Sequence, residues 1–366
     1  MARTSQFQRH LDRVLGIPLV FLTGLLGRRR PLPERPSRIG IIQPAAIGDM
    51  ILISGLLLHL RRCYPEAEIH VFHGPFNGAA VPLLPVDVVV HPCVFTRPLT
   101  TLRQLRNAKL DILIDSMPWA RLIALLTAFS GARAKVGFHS AGQHIQRAFD
   151  IVVPYLDSRH EVENHRAVAE LFGPLVKYSL QLRTTEWQPT MELPYNRLVL
   201  MHMMPGGSRA KQKSWPAENW VELARRLVDK GWIVGFTGGQ LDREAVATVM
   251  NLAMLPKDCC MSLVGLSLAE VRDILAHARL LITVDTGIAH LAAALNAPVL
   301  GLHGPTKFER WGSWSAHATG LNSPHPAAGY INYGFEQHPA GDEVMASLRV
   351  SVVAAAVEAI LKQPVS

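Results

Sequence analysis

At 366 residues, with 49% apolar and 18% charged positions, the chain is long enough for two domains that each bury a core, and too apolar to be disordered. A net charge of +8 points to an anionic partner: a phosphorylated sugar, an acidic membrane face or nucleic acid, the last without support from any zinc-finger spacing or RNP-like aromatic stretch. The four cysteines, Cys63, Cys93 and the adjacent Cys259 and Cys260, fit neither a metal site nor a disulfide framework, which suits a reducing cytoplasm.

Residues 1–37 read as an N-terminal extension, amphipathic and basic. Phe7, Leu11, Val14 and Leu15 share a helical face, an apolar run continues from Val14 to Leu26, and Arg28, Arg29, Arg30 and a Pro-rich linker follow. The run is too short to span a bilayer, which takes about 20 apolar residues, and it lacks a small-residue cleavage site. Two readings stay open, an anchor on an anionic membrane surface and a helix packed on the protein's own body.

From Arg38 strands and helices alternate, which predicts parallel sheets covered on both faces. Residues 38–185 form the first unit. It has strands at Ile39–Ile42, Glu68–Phe72, Val86–Val90 and Ile112–Asp115, helices at Met50–Arg62, Leu102–Asn107 and Trp119–Ser130, and a close at Val136-Gly137. A helix from Asp157 to about Phe172 leads into the polar stretch Arg183–Pro194, the expected domain boundary.

Residues 186–366 form the second unit. Here the strands are Leu198–His202, Ile233–Thr237, Leu280–Thr283 and Val299–Leu302, with helices at Pro216–Lys230, Asp242–Leu255, Ser267–Ala278 and Val344–Leu361; Gly320–Ala340 reads as loop. Two doubly wound units in succession predict an α/β protein with a ligand cleft at the carboxyl ends of both sheets. Neither unit carries Gly-x-Gly-x-x-Gly at its first strand-helix turn, which disfavours a dinucleotide dehydrogenase.

The most informative stretch is Thr283–Trp314. An apolar strand ends in Asp285-Thr286-Gly287, an Ala-rich helix follows at once with Thr286 placed as N-cap, and its N–H groups and dipole favour an anion, phosphate above all. His290 lies one turn on, and Gly304-Pro305-Thr306 makes a second tight turn after the next strand. The alternative is an ordinary strand-turn-helix-strand unit with a capping threonine and a core histidine. A loop from Pro205 to Pro216, with two glycines, Ser208, Arg209, Lys211 and Lys213, either follows a diphosphate or is plain solvated surface. Asp49, at the first turn of the first unit, either complements a helix dipole or carries chemistry. No Asp-x-Asp occurs, which weakens a metal-dependent reading; no metal site or cofactor is expected.

The string Asp285-Thr286-Gly287, His290 and Gly304-Pro305-Thr306, with Lys213-Ser214-Trp215-Pro216 and Gly48-Asp49, resembles the signature of glycosyltransferase family 9, the ADP-heptose:lipopolysaccharide heptosyltransferases. The resemblance covers residues 38–360. It implies a GT-B fold, two Rossmann-like domains facing across a cleft, with the acceptor on the first and the nucleotide sugar on the second. It implies an inverting, metal-independent transfer of heptose from ADP-heptose to a lipopolysaccharide core or related glycolipid, by a cytoplasmic protein peripheral on the inner face of the membrane. On the match Asp49 is the catalytic base and Lys213 neutralises the leaving diphosphate. Ser208 hydrogen bonds to the diphosphate, while Asp285, Thr286, Gly287, His290, Gly304, Pro305 and Thr306 hold the donor. Arg121 and Arg159, with His160 beside it, face the acceptor, unless they are surface cations. The chain departs from the family at Gln43, Ala45 and Ala46, where a basic residue and small hydroxyl or glycine residues are usual. Two further readings remain: a GT-B-type nucleotide-sugar epimerase or hydrolase, and a degenerate relative that binds nucleotide sugar or lipid as a scaffold.

Overall fold

The computed structural model describes residues 14, 16–24, 29–175, 177–183, 191–207, 209–334 and 336–363. Ser208 lies outside them, as do Phe7, Leu11, Leu15, Leu25, Leu26 and Arg28 of the expected amphipathic run. The chain divides into two compact units, residues 1–183 and 184–366.

The first unit is a six-stranded, wholly parallel sheet of order β3-β2-β1-β4-β5-β6: β1 Arg38–Gln43, β2 Glu68–His73, β3 Val89–Pro92, β4 Ile112–Asp115, β5 Ala134–His139 and β6 Ile151–Pro154. Helix α1 covers residues 16–24, and α2 (Ile47–Leu52), α3 (Ser54–Cys63), α4 (Pro98–Asn107), α5 (Arg121–Phe129) and α6 (Glu161–Ala169) cover the faces. The second unit repeats the order as β12-β11-β10-β7-β8-β9, with β7 Leu198–His202, β8 Ile233–Gly238, β9 Cys260–Val264, β10 Leu280–Val284, β11 Val299–His303 and β12 Ala318–Asn322. Its helices are α7 (Ala210–Lys213), α8 (Ala217–Asp229), α9 (Arg243–Ala253), α10 (Leu268–Leu275), α11 (Gly287–Ala294), α12 (Phe308–Trp311), α13 (Gly341–Ala346) and α14 (Val350–Leu361).

The central strands are buried end to end, as β7, β10 and β11 are here, because a parallel sheet with helices on both faces leaves no solvent side. Each sheet reverses its strand order between its first and fourth strands, β1 and β4 in one unit, β7 and β10 in the other. In an open α/β sheet that reversal opens a crevice beyond the carboxyl ends of the strands, where ligands bind.

Several expectations are corrected. The single helix from Met50 breaks at Ile53 into α2 and α3, because the segment after α6 crosses there: Ser54 Oγ accepts from Gln181 N–H, and a Cβ on Gly55 would stand 2.8 Å from the Tyr178 ring. The first sheet does not close at Gly137 but adds β6, and the expected loop from Gly320 begins inside a strand, since Gly301↔Gly320 and Leu302↔Leu321 pair in the β11–β12 ladder. The terminal helix is two, α13 and α14. Asp115, which ends β4, is fully buried, and burial pushes its carboxyl up to about 8 against hydrogen bonds from the Met117 N–H (2.9 Å) and the Thr127 hydroxyl (3.5 Å).

Helix α1 combines both readings of the N-terminal stretch. Gly16 lies against the Arg121 stem, Val20 is fully buried, and the Arg147 guanidinium stacks 4.1 Å over the Phe21 ring. The opposite face leaves Leu19 46% and Leu22 51% exposed. Among the described residues no helix is long and apolar enough to cross a membrane.

Candidate functional site

Each switch point carries one of the polar groups singled out in the sequence. In the second unit β7 runs into the loop that carries Lys213, and its neighbour β10 ends at Asp285. Trp215 fixes the loop: its ring packs in the core edge-on to Trp220, centroids 5.1 Å apart, and its Nε1–H donates to the Leu348 carbonyl at 2.8 Å. Two residues earlier, Lys213 Nζ donates to the Asp285 main-chain oxygen at 3.3 Å and its Oδ2 at 3.4 Å. Lys213 is therefore no plain solvated cation; both side chains of the pair are only 16% exposed.

Thr286 occupies the N-cap of α11 in extended backbone, as expected, but its side chain makes no capping hydrogen bond. Its Oγ1 turns instead to Thr283 Oγ1, 3.3 Å away, and Thr283 also donates to the His202 carbonyl at the end of β7. Gly287 opens α11, directing the positive end of the helix dipole beside Asp285. One turn on, His290 is buried, and its Nδ1 has no hydrogen-bond partner.

The second turn is held from two sides. His303, which ends β11, shares a hydrogen bond with Thr306 Oγ1 at 3.2 Å, and the Gly304 and Pro305 carbonyls accept from the Gly329 (2.9 Å) and Ile331 (2.7 Å) N–H groups. A Cβ on Gly304 would come within 2.5 Å of Met345 Sδ, so only glycine lets the turn sit on α13.

Charge is concentrated at this point. Burial pushes the Asp285 carboxyl up, but Lys213, then His303 and His290, outweigh it and hold it below the usual carboxylate range. Burial pushes His290 down to about 4 and lowers His303 as well, so both rings are neutral near pH 7. A lysine, a helix N-terminus and two neutral histidines around one carboxylate can bind a polyanion while keeping an acceptor for hydroxyl groups. Neither His303 nor His202 was singled out from the sequence. The available signal was a histidine closing an otherwise apolar buried strand.

In the first unit the turn after β1 carries Asp49. It is half-buried in α2, and its Oδ2 accepts from the Ala46 N–H at 2.8 Å, closing the first turn of the helix. The departures from the family pattern leave this turn well held: Gln43 Oε1 accepts from Ala45 N–H at 3.2 Å, and Asn77 joins the Gln43 carbonyl to Gly74 N–H. Gly74 is required there, since a Cβ would lie 2.3 Å from the Pro44 carbonyl oxygen. Buried His165 on α6 is pushed down to about 4 by burial, opposed by the Asp49 carboxylate.

Arg121 and Arg159 part company. Arg159 is exposed in the turn before α6, and neighbouring His160 caps that helix, its Nδ1 accepting from Val162 N–H at 3.1 Å. Arg121, expected to face an acceptor, is buried under Gly16 and donates to the Gln143 carbonyl (3.1 Å) and side-chain oxygen (2.9 Å). Its stem and guanidinium join α1 to the segment before β6.

The chain matches glycosyltransferase family 9 (heptosyltransferase) over residues 99–331. It is 31% identical over 242 residues to lipopolysaccharide heptosyltransferase 1 of Pseudomonas aeruginosa, covering 62% of this chain and 63% of that one. It is 26% identical over 295 residues to lipopolysaccharide heptosyltransferase 2 of Escherichia coli, covering 74% and 83%. Among solved structures, the E. coli ADP-heptose lipopolysaccharide heptosyltransferase II superposes with a TM-score of 0.70 at 22% identity, over 88% of this chain and 98% of that one. An E. coli heptosyltransferase with ADP gives 0.68 at 19%, over 88% and 99%. These likenesses agree with the GT-B fold class expected from the sequence.

Proposed function

The chain belongs to glycosyltransferase family 9, and from that premise we propose that it moves heptose from ADP-heptose to a lipopolysaccharide core or a related glycolipid, with inversion and without a metal ion. The observation that carries the donor half of this reading is the Lys213–Asp285 pair at the second unit's switch point, beside the N-terminus of α11. There Lys213 and the helix dipole take up the charge of the leaving diphosphate, and Asp285 accepts hydrogen bonds from sugar hydroxyls. His290, Gly304, Pro305 and Thr306 wall the same site, and Ser208 belongs to its loop.

Asp49 is the base of this reading. As the acceptor oxygen attacks the anomeric carbon from the face opposite the diphosphate, its proton passes to the Asp49 carboxylate, and the bond from the anomeric carbon to the phosphate oxygen breaks. Arg159 contributes positive charge toward an anionic acceptor, while Arg121 supports α1.

A panel of ADP-, UDP- and GDP-sugars followed by thermal shift tests the donor assignment. A ligand present at 100 times its Kd stabilises by about 2.7 kcal/mol, so ADP-heptose is expected to raise the melting temperature by several degrees over the UDP and GDP sugars. A larger shift with a UDP- or GDP-sugar would overturn ADP-heptose as donor.

The exposed face of α1, followed by Arg29 and Arg30, supports peripheral attachment at the cytoplasmic face of the membrane. Leu19→Ser with Leu22→Ser removes that face and spares Val20. The wild type is expected to sediment with anionic vesicles at about 0.15 M salt, where the Debye length is about 8 Å, and the double variant to stay in solution. A wild type that stays in the supernatant would leave α1 with packing alone.

A further inference from the structure

Beside the donor turn the second unit encloses a polar cavity of about 350 Å³, lined by Arg209, Gln212, Tyr330, Glu336, His338 and Asp342 among others. One wall is α7, whose Gln212 immediately precedes Lys213. The other is the segment from Tyr330 through α13, almost all of it beyond the residues that match the family. That segment is tied to the Gly304–Pro305 turn by the two backbone hydrogen bonds from Gly329 and Ile331, so the cavity adjoins the proposed diphosphate site.

The lining is suited to a sugar and poorly suited to a second phosphate. Asp342 is ion-paired with Lys211 and accepts from Gln212 Nε2 at 3.3 Å, and the remaining cation, Arg209, is opposed by Glu336 and Glu343. Without an excess of positive charge, the cavity offers carboxylates, amides and a guanidinium around an aromatic ring, donors and acceptors spaced for adjacent hydroxyls. Tyr330 Oη is shielded from water and has no hydrogen-bond partner, an arrangement that costs about 1 to 3 kcal/mol unless a ligand supplies one. The wall is close-fitting at this atom: a Cβ on Gly341 would lie 2.8 Å from Tyr330 Oη and 3.3 Å from Gln212 Cγ.

We propose that this cavity receives the donor's glycosyl group, and that Tyr330, Gln212 and the segment Glu336–Asp342 select which sugar is transferred. The proposal rests on the reading that the second unit binds a nucleotide sugar. It gives the segment that follows the family match a role in specificity, with Tyr330 Oη donating to a sugar hydroxyl and Gln212 bridging sugar and Asp342.

Calorimetric titration of the full chain with ADP-heptose and with ADP separates the sugar's contribution from the nucleotide's. Tyr330→Phe and Gln212→Ala are each expected to weaken ADP-heptose by about five- to tenfold, the loss of one hydrogen bond, while ADP binds within about twofold of wild type. Tyr330→Phe removes only the unpartnered hydroxyl, so its melting temperature is expected to stay level or rise. Unchanged ADP-heptose affinity in both variants, or equal losses for ADP and ADP-heptose, would overturn the proposal while leaving the donor reading intact. A wild type that binds neither ligand would remove the donor reading, and the proposal with it.

Discussion

Lys213→Ala is expected to weaken ADP binding by about 10- to 100-fold, the usual weight of one or two hydrogen bonds to a charged group, and to lower the stability of the second unit as well. The second effect follows from Asp285. Its carboxylate is mostly buried and is held ionised first of all by Lys213, so removing the lysine strands a charge. Breaking a buried pair from one side typically costs about 3 to 5 kcal/mol; for a unit of this size that is a fall in melting temperature on the order of 10 °C.

The double variant Lys213→Ala with Asp285→Asn separates the two effects. Asparagine carries no charge to strand, so the melting temperature is expected to return most of the way, while ADP affinity stays low because the cation is still missing. Calorimetry and a melting curve on the single and double variants read both quantities. A single variant that keeps both wild-type values would remove Lys213 from the site and show that the ion pair contributes nothing.

The tandem doubly wound architecture was legible because long apolar runs, such as Leu198–Met201 and Leu280–Ile282, can only be buried parallel strands when helices alternate with them. Edge strands were not. In β9 (Cys-Met-Ser-Leu-Val) and β12 (Ala-Thr-Gly-Leu-Asn) half the positions face solvent, and the ladder to β8 or β11 supplies what local propensity does not. The break at Ile53 was equally hidden, because its cause is Tyr178 and Gln181 crossing from more than a hundred residues away.

The candidate site shows the same division. Asp285-Thr286-Gly287 and Gly304-Pro305-Thr306 stood out because turn chemistry and helix starts are local. The partner that sets the charge of Asp285, and the burial that lowers His290 and His303, depend on side chains brought together by β7, β10 and β11. Arg121 shows the limit from the other direction: its position at the start of α5 suggested a ligand contact, and the packing of α1 and Gln143 gave it another task.

The central claim is that the Asp49 carboxylate drives glycosyl transfer, and it is tested most directly by the initial rate of heptosyl transfer from saturating ADP-heptose to a heptose-deficient lipopolysaccharide, wild type beside Asp49→Asn. Asparagine keeps an oxygen for the Ala46 N–H, so α2 retains its first turn and stability changes by at most about 1 kcal/mol. It cannot take a proton, so the rate is expected to fall by about two to four orders of magnitude. ADP-heptose affinity is expected to hold, since Lys213 and Asp285 belong to the other unit. An Asp49→Asn protein that transfers heptose at the wild-type rate, or a wild type that binds ADP-heptose and transfers to no acceptor, would contradict the account.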